Sequence, residues 1–253
     1  MLFWPLNDGE LNASATSAAS HPASTYSISL PLLQAVGTQW SVDSYWTGSG
    51  TEAVQSLWSV HPDEFDDVFS VGNGCGLLWC QFTGAQTGGG GYVFQAGLRG
   101  TFVDGIVLRV DTGNWKAQCI LGGTGDAAGT GVTSINACLR NPVSPVTIAV
   151  LIDHRPDGDN SALIYDNALG GISTSSVSLG DVGPISMANS GTNKVVNIGS
   201  LVTSGGSEFS FYTGSVRNFG FINLGDDMPR NIDKIITDLL NNNGRLVQSM
   251  DGL

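Results

Sequence analysis

Apolar residues recur at every second position in short runs, and Gly, Asn, Asp and Pro punctuate the runs. Tyr26, Ile28 and Leu30 alternate in this way, and Trp40, Val42 and Trp46 repeat the pattern. Val54, Leu57, Trp58 and Val60 mark a third run. A period of two is the signature of a half-buried strand. Runs at 92–98, 102–110, 161–165, 194–198, 208–212 and 216–223 add further strands. The run 76–82 is almost continuously apolar and predicts a buried strand. The β-branched run 146–152 ends in an acidic turn. About eleven to thirteen strands result, spaced as in an antiparallel sandwich and not as βαβ units.

The period changes once, near the end. Ile232, Ile235, Ile236, Leu239 and Leu240 recur at i, i+3, i+4, i+7 and i+8, which is one stripe of an α-helix. Asn231 can cap its start, and Asn241-Asn242-Asn243-Gly244 supplies a stop. Simple packing onto a sheet edge accounts for the stripe. At the other end, the small-residue tract Asn12–Ser20 has no apolar period. Residues 1–24 therefore read as an N-terminal arm or linker, 25–240 as the domain and 241–253 as a C-terminal tail.

The order of these pieces resembles the concanavalin A-like lectin/glucanase superfamily in its laminin-G-like form. Ser27-Ile28-Ser29-Leu30 and Trp40-Ser41-Val42-Asp43-Ser44-Tyr45-Trp46 look like that family's opening strands, and Gln55–Val60 like the next. Val146–Asp153 resembles its central strand, and Ala162–Asn167 the partner of that strand. Phe211–Asn223 and the following Met228–Ile236 resemble its closing strand and terminal segment. The resemblance implies an all-β fold, a two-sheet antiparallel jelly roll with one short C-terminal helix. Sugar binding does not follow from the fold alone.

Composition narrows the function. Charged residues are 13% of the chain, and 22 acids face 10 bases for a net charge of −12. Nucleic-acid binding needs clustered Lys and Arg, and this chain would repel a polyanion. No apolar run is long enough for a membrane-spanning helix, so no membrane insertion is expected. The first residues have no basic segment and only a short apolar run, which does not match a secretory signal. Cys75, Cys80, Cys119 and Cys138 lack zinc spacing and are expected as reduced, buried thiols. A Cys75–Cys80 disulfide is the alternative that secretion would favour.

No catalytic pattern emerges. Glycan-cleaving enzymes on the resembled fold carry paired acids at alternate positions of one strand. Here the glutamates are Glu10, Glu52, Glu64 and Glu208, and none makes such a pair. There is no Gly-x-Ser-x-Gly elbow. His154 beside Asp153 is the nearest acid–base candidate, and a turn histidine explains it. The Gly88–Gly91 and Gly122–Gly125 runs lack the Lys-Ser or strand–turn–helix setting of a phosphate loop and read as turns. The protein is expected not to be an enzyme.

Three binding features remain. The apolar start, Leu2, Phe3, Trp4 and Leu6, beside the Ala/Ser tract fits an assembly arm that orders on a neighbouring subunit. The first functional expectation is accordingly a structural protein of a tailed-phage virion: a capsid-decorating, head-fibre or tail-associated subunit. Its partners would be other virion subunits or further copies of itself. The alternative is an extracellular, secreted or cell-surface lectin-like module that binds a cell-surface glycan. Trp115, after the turn Asp111–Asn114, is its candidate aromatic platform. Calcium is a possible cofactor for that module, because the resemblance implies a cation near a sandwich rim. Asp157 and Asp159 are the candidate ligands, and a solvated turn is the simpler account of both.

Overall fold

The computed structural model describes residues 71–72, 74–83, 91–96, 105–111, 116–122, 132–138, 145–168, 170–179, 195–198, 201–202, 208–209, 213–226 and 228–244, and the short strands before residue 61. Those early strands are β1 (Leu2–Trp4), β2 (Ala15–Thr16), β3 (Ser29–Leu30), β4 (Gln39–Trp40), β5 (Trp46–Ser49) and β6 (Leu57–Val60). The middle of the chain forms β7 (Cys75–Thr83), β8 (Gly91–Ala96), β9 (Gly105–Asp111), β10 (Lys116–Gly122) and β11 (Val132–Cys138). Then come β12 (Val146–Asp153), β13 (Ser161–Asp166), β14 (Ser173–Ser178), β15 (Val195–Ile198), β16 (Leu201–Val202), β17 (Glu208–Phe209) and β18 (Thr213–Gly225). Helix α1 (Ile232–Asn241) follows.

Two antiparallel sheets make the sandwich. The eight-stranded sheet runs β14-β13-β12-β7-β18-β5-β4, with β1 also paired to β18. The six-stranded sheet runs β11-β10-β9-β8-β15-β6. The rings of Phe94 in β8 and Phe219 in β18 meet with centroids 4.1 Å apart, which identifies the two inner faces. Leu78, Cys80, Ile148, Val150 and Phe221 lie on one inner face, and Ile106, Leu108 and Cys119 on the other. All are fully buried. The expected two-sheet all-β sandwich with a C-terminal helix is the fold observed.

The thiols of Cys75, Cys80 and Cys119 conform to this packing, and the side chain of Cys138 lies outside those described. Cys75 and Cys80 are five residues apart on β7, so they point to opposite faces and sit about 16 Å apart. They are not bonded to each other, because a disulfide needs Cα atoms within about 7 Å. Burial pushes the Cys119 thiol up to about 12. Burial, and then the neighbouring Cys119, raises Cys80 as well. Both thiols stay protonated and act as small apolar side chains.

The helix packs on the outer face of the eight-stranded sheet, not on an edge. Ile232, Ile235, Ile236, Leu239 and Leu240 cluster with Leu77, Trp79, Ala149, Leu151 and Ile222. β7 and β12 are apolar on both faces, so their outer face also needs a cover. Asn231 occupies the N-cap position, yet its side chain makes no capping bond. The C-terminal end is anchored instead. The Gly244 N–H donates to the Leu239 carbonyl across Asn243 in the left-handed region (φ 58°). The Trp79 indole donates to the Gly244 carbonyl at 3.0 Å. Asn218 and Asn167 donate to the Asn243 and Leu240 carbonyls, each at 2.9 Å.

Sequence pattern misses six strands: β1, β2, β10, β11, β14 and β16. β14 reads Ser-Thr-Ser-Ser-Val-Ser and lies at a sheet edge, where little apolar alternation is required. The strand total of eighteen also exceeds the expected number, because several strands have only two to four residues. Two of these lie within the segment expected as an arm. Leu2–Trp4 pairs with Phe219–Phe221 of β18, and Ala15–Thr16 with β3.

Gly220 is opposite Trp79 in the β18–β7 ladder, and a Cβ there would run into the indole ring. Trp79 is fully buried and hydrogen-bonded, so it has no room to yield. Gly220→Ala is expected to lower unfolding free energy by about 2–3 kcal/mol in urea titrations. Gly72→Ala, in open space, should stay within about 0.5 kcal/mol of wild type.

Candidate functional site

The outer face of the six-stranded sheet carries a polar row on an apolar floor. Tyr92, Arg109 and Gln118 are direct cross-strand partners on β8, β9 and β10. The Arg109 Nε donates to the Gln118 Oε1. Both side chains are partly exposed, whereas Tyr92 is buried. One step along the strands, Val107 and Ile120 pack with Tyr92, and Gln95 is fully buried opposite Val107. In register, Asn136 is the partner of Gln118, and Asn197 the partner of Gln95. A guanidinium and an amide are thus fixed, partly exposed, on two neighbouring strands beside the buried Tyr92. Such a set can donate to and accept from several oxygens of one polar ligand.

Trp115 lies outside the described residues. Its place in the chain is nevertheless informative, because residues 112–115 connect the two strands that carry Arg109 and Gln118. Strand pairing, which brings those two side chains together, cannot be read from the sequence when β10 itself goes unrecognised. A polar residue between apolar neighbours in each strand, Arg109 in β9 and Gln118 in β10, is the signal that could have found the row.

The β12–β13 hairpin holds the other candidates. Asp153 ends β12 and is buried, and both its oxygens accept from the Arg155 guanidinium at 3.0 and 2.9 Å. It also accepts from the Arg155 and Asp159 backbone N–H groups. Gly158 passes so close that a Cβ there would strike this carboxylate. Burial would raise the Asp153 pKa, but the Arg155 hydrogen bonds outweigh it and hold the carboxyl below its usual range. Asp157 and Asp159 are both exposed on this turn. Among the described residues no three His, Cys, Asp or Glu side chains converge as metal ligands.

His154 has no catalytic geometry. Its acidic neighbour Asp153 is engaged by Arg155. The His154 ring bonds to the Asn160 side chain, and its Nε2 is buried with no hydrogen-bond partner. Burial lowers its pKa against the opposing effects of Asn160 and Asp153. The remaining expected residues divide in two: Leu2, Phe3 and Trp4 form β1 on the eight-stranded sheet, and Leu6 lies outside the described residues.

No family model matches the chain, and no curated protein matches it. Solved structures do. The CBM40 of the Ruminococcus gnavus IT-sialidase, bound to α2,3-sialyllactose, superposes with a TM-score of 0.52 at 11% identity, covering 76% of this chain and 97% of that one. The same CBM40 without that sugar gives 0.52 at 10% identity, covering 77% and 95%. A chain named HCR/D-Sa-GBL1/C gives 0.59 at 11% identity, covering 96% of this chain and 51% of that one. At such identities the likeness establishes the fold: a lectin-like β-sandwich. The likeness lends nothing to the virion-subunit expectation. Among the described residues no helix is long and apolar enough to cross a membrane.

The His154 and Asp153 environments set an acid dependence of stability. His154 has its folded pKa below 6.5, so the unfolded chain takes up the proton first as pH falls. Urea midpoints should therefore decline as pH drops below about 6.5, and His154→Gln should flatten that decline. Asp153 behaves as a depressed carboxylate. Its contribution is present above 3.8 and is lost as pH falls further, through its folded pKa. A midpoint that rises on acidification from pH 7 to 5 would contradict the His154 assignment.

Proposed function

We propose that this chain is a non-catalytic carbohydrate-binding module whose ligand sits on the outer face of the six-stranded sheet, beside the β9–β10 hairpin. The observation that carries this is the cross-strand pair of Arg109 and Gln118, hydrogen-bonded and partly exposed beside the buried Tyr92. Sugars present closely spaced hydroxyls, and a rigid sheet can hold donors and acceptors at matching intervals. The sandwich shared with a sialyllactose-bound CBM40 supports the reading. Trp115, in the connection between the two site strands, supplies an aromatic face for a sugar ring. A cell-surface or extracellular glycan is the natural partner.

The proposed site draws on no cation. Asp153, the buried acid of the β12–β13 turn, has both oxygens committed to Arg155, and Asp157 and Asp159 serve turn geometry. Binding is read by glycan array and then by calorimetry. Wild type should bind a defined subset of glycans with and without chelator. Trp115→Ala and Gln118→Ala should each weaken binding about tenfold. No binding across a broad array by folded protein would refute the proposal. Loss of binding on chelation would move the site to the acidic turn.

A further inference from the structure

Among the described residues, no acid pairs with Arg109. The chain has 22 acidic residues for 10 basic ones, so an arginine has no shortage of carboxylates. Arg155 pairs with Asp153, and Lys234 with Asp238. Arg109 instead bonds a neutral amide through Nε, and no acidic side chain pairs with it among the described residues. Its side chain is partly buried among Tyr92, Val107 and Gln118. A half-buried guanidinium that lacks an anion leaves charge uncompensated. Anchoring Nε to Gln118 fixes the plane of the group, and among the described residues no acceptor binds Nη1 or Nη2. Two parallel donors match a carboxylate, which they bind bidentately.

The charge of the whole chain limits which anion this is. At −12, the protein repels a ligand with many charges, such as a polysulfated chain. One arginine balances one charge. We infer that the glycan bound on this face carries a single carboxylate-bearing sugar, held by Arg109 and oriented by Gln118. This rests on the glycan-binding reading given above. A lysine could not substitute, since it offers a point charge and no planar fork.

Calorimetry with four probes tests this: lactose, sialyllactose, the methyl ester of sialyllactose, and a disaccharide ending in glucuronic acid. At least one acidic sugar should bind about tenfold or more tightly than lactose. The ester, which keeps the shape and loses the charge, should fall to the level of lactose. Arg109→Lys and Arg109→Gln should both lose the preference for the acid, with thermal unfolding checked for each. Equal affinity for acidic and neutral sugars would overturn the carboxylate inference and leave glycan binding standing. Undiminished affinity for the ester would do the same without any variant. Failure of folded wild type to bind any glycan, on these probes and on a broad array, would overturn both.

Discussion

Trp79 sits where three parts of the molecule must agree. It lies on β7, the central strand of the eight-stranded sheet, and its ring faces outward. Gly220 on β18 leaves it space, helix α1 covers it, and the Gly244 carbonyl accepts its N–H. A buried indole needs a partner for that donor. The partner here is the chain just after the helix, so satisfying one N–H also fixes where α1 ends. Asn218 and Asn167 repeat the device on neighbouring carbonyls. The Leu240, Asn243 and Gly244 carbonyls, at and just after the helix end, are thereby met by side chains of the sheet and its hairpin.

This clamp decides which surface is left for a ligand. The eight-stranded sheet is covered on one face by α1 and on the other by the six-stranded sheet. The outer face of the six-stranded sheet is itself largely buried at Tyr92, Gln95, Val107 and Ile120, and Arg109 and Gln118 are partly exposed on it. Arg109 stands between Leu108 and Val110, which are buried inward, and Gln118 between Ala117 and Cys119. The strands that build the core thus also set the spacing of the site. A helix docked on the six-stranded sheet instead would have hidden this row.

The sequence shows the sandwich and the helix because both rest on periodicity. The period of two, and the single change of period at Ile232, need no knowledge of tertiary contacts. It shows the candidate site poorly, for two reasons. β10 has the sequence Lys-Ala-Gln-Cys-Ile-Leu-Gly, with little apolar contrast between its faces, because both of its faces are largely buried. The row itself is made of residues separated in the chain, and only register brings Tyr92, Arg109 and Gln118 side by side. The helix illustrates the same limit. Its stripe is legible, but whether it meets an edge or a face depends on the outer side of β7 and β12. Their unbroken apolar runs are the clue that both faces are covered.

The acidic excess has a structural explanation that bears on the site. Asp153 and Asp166 both sit at strand ends and organise the hairpins that follow. Asp153 binds Arg155 and the turn N–H groups, and Asp166 accepts from the Ala168 N–H and the Ser173 hydroxyl. Exchanging either for a neutral side chain would strip a turn of its acceptors, so such acids are retained for geometry. They lie on the eight-stranded sheet and not in the polar row of the six-stranded sheet. Among the described residues, the row is therefore a place where a negatively charged protein presents a guanidinium that no acidic side chain pairs with. At a distance the field of the chain disfavours anions. At contact, a partly buried guanidinium favours one. The two effects act over different ranges, and together they admit a ligand with one localised charge on a mostly neutral body and reject one charged along its length.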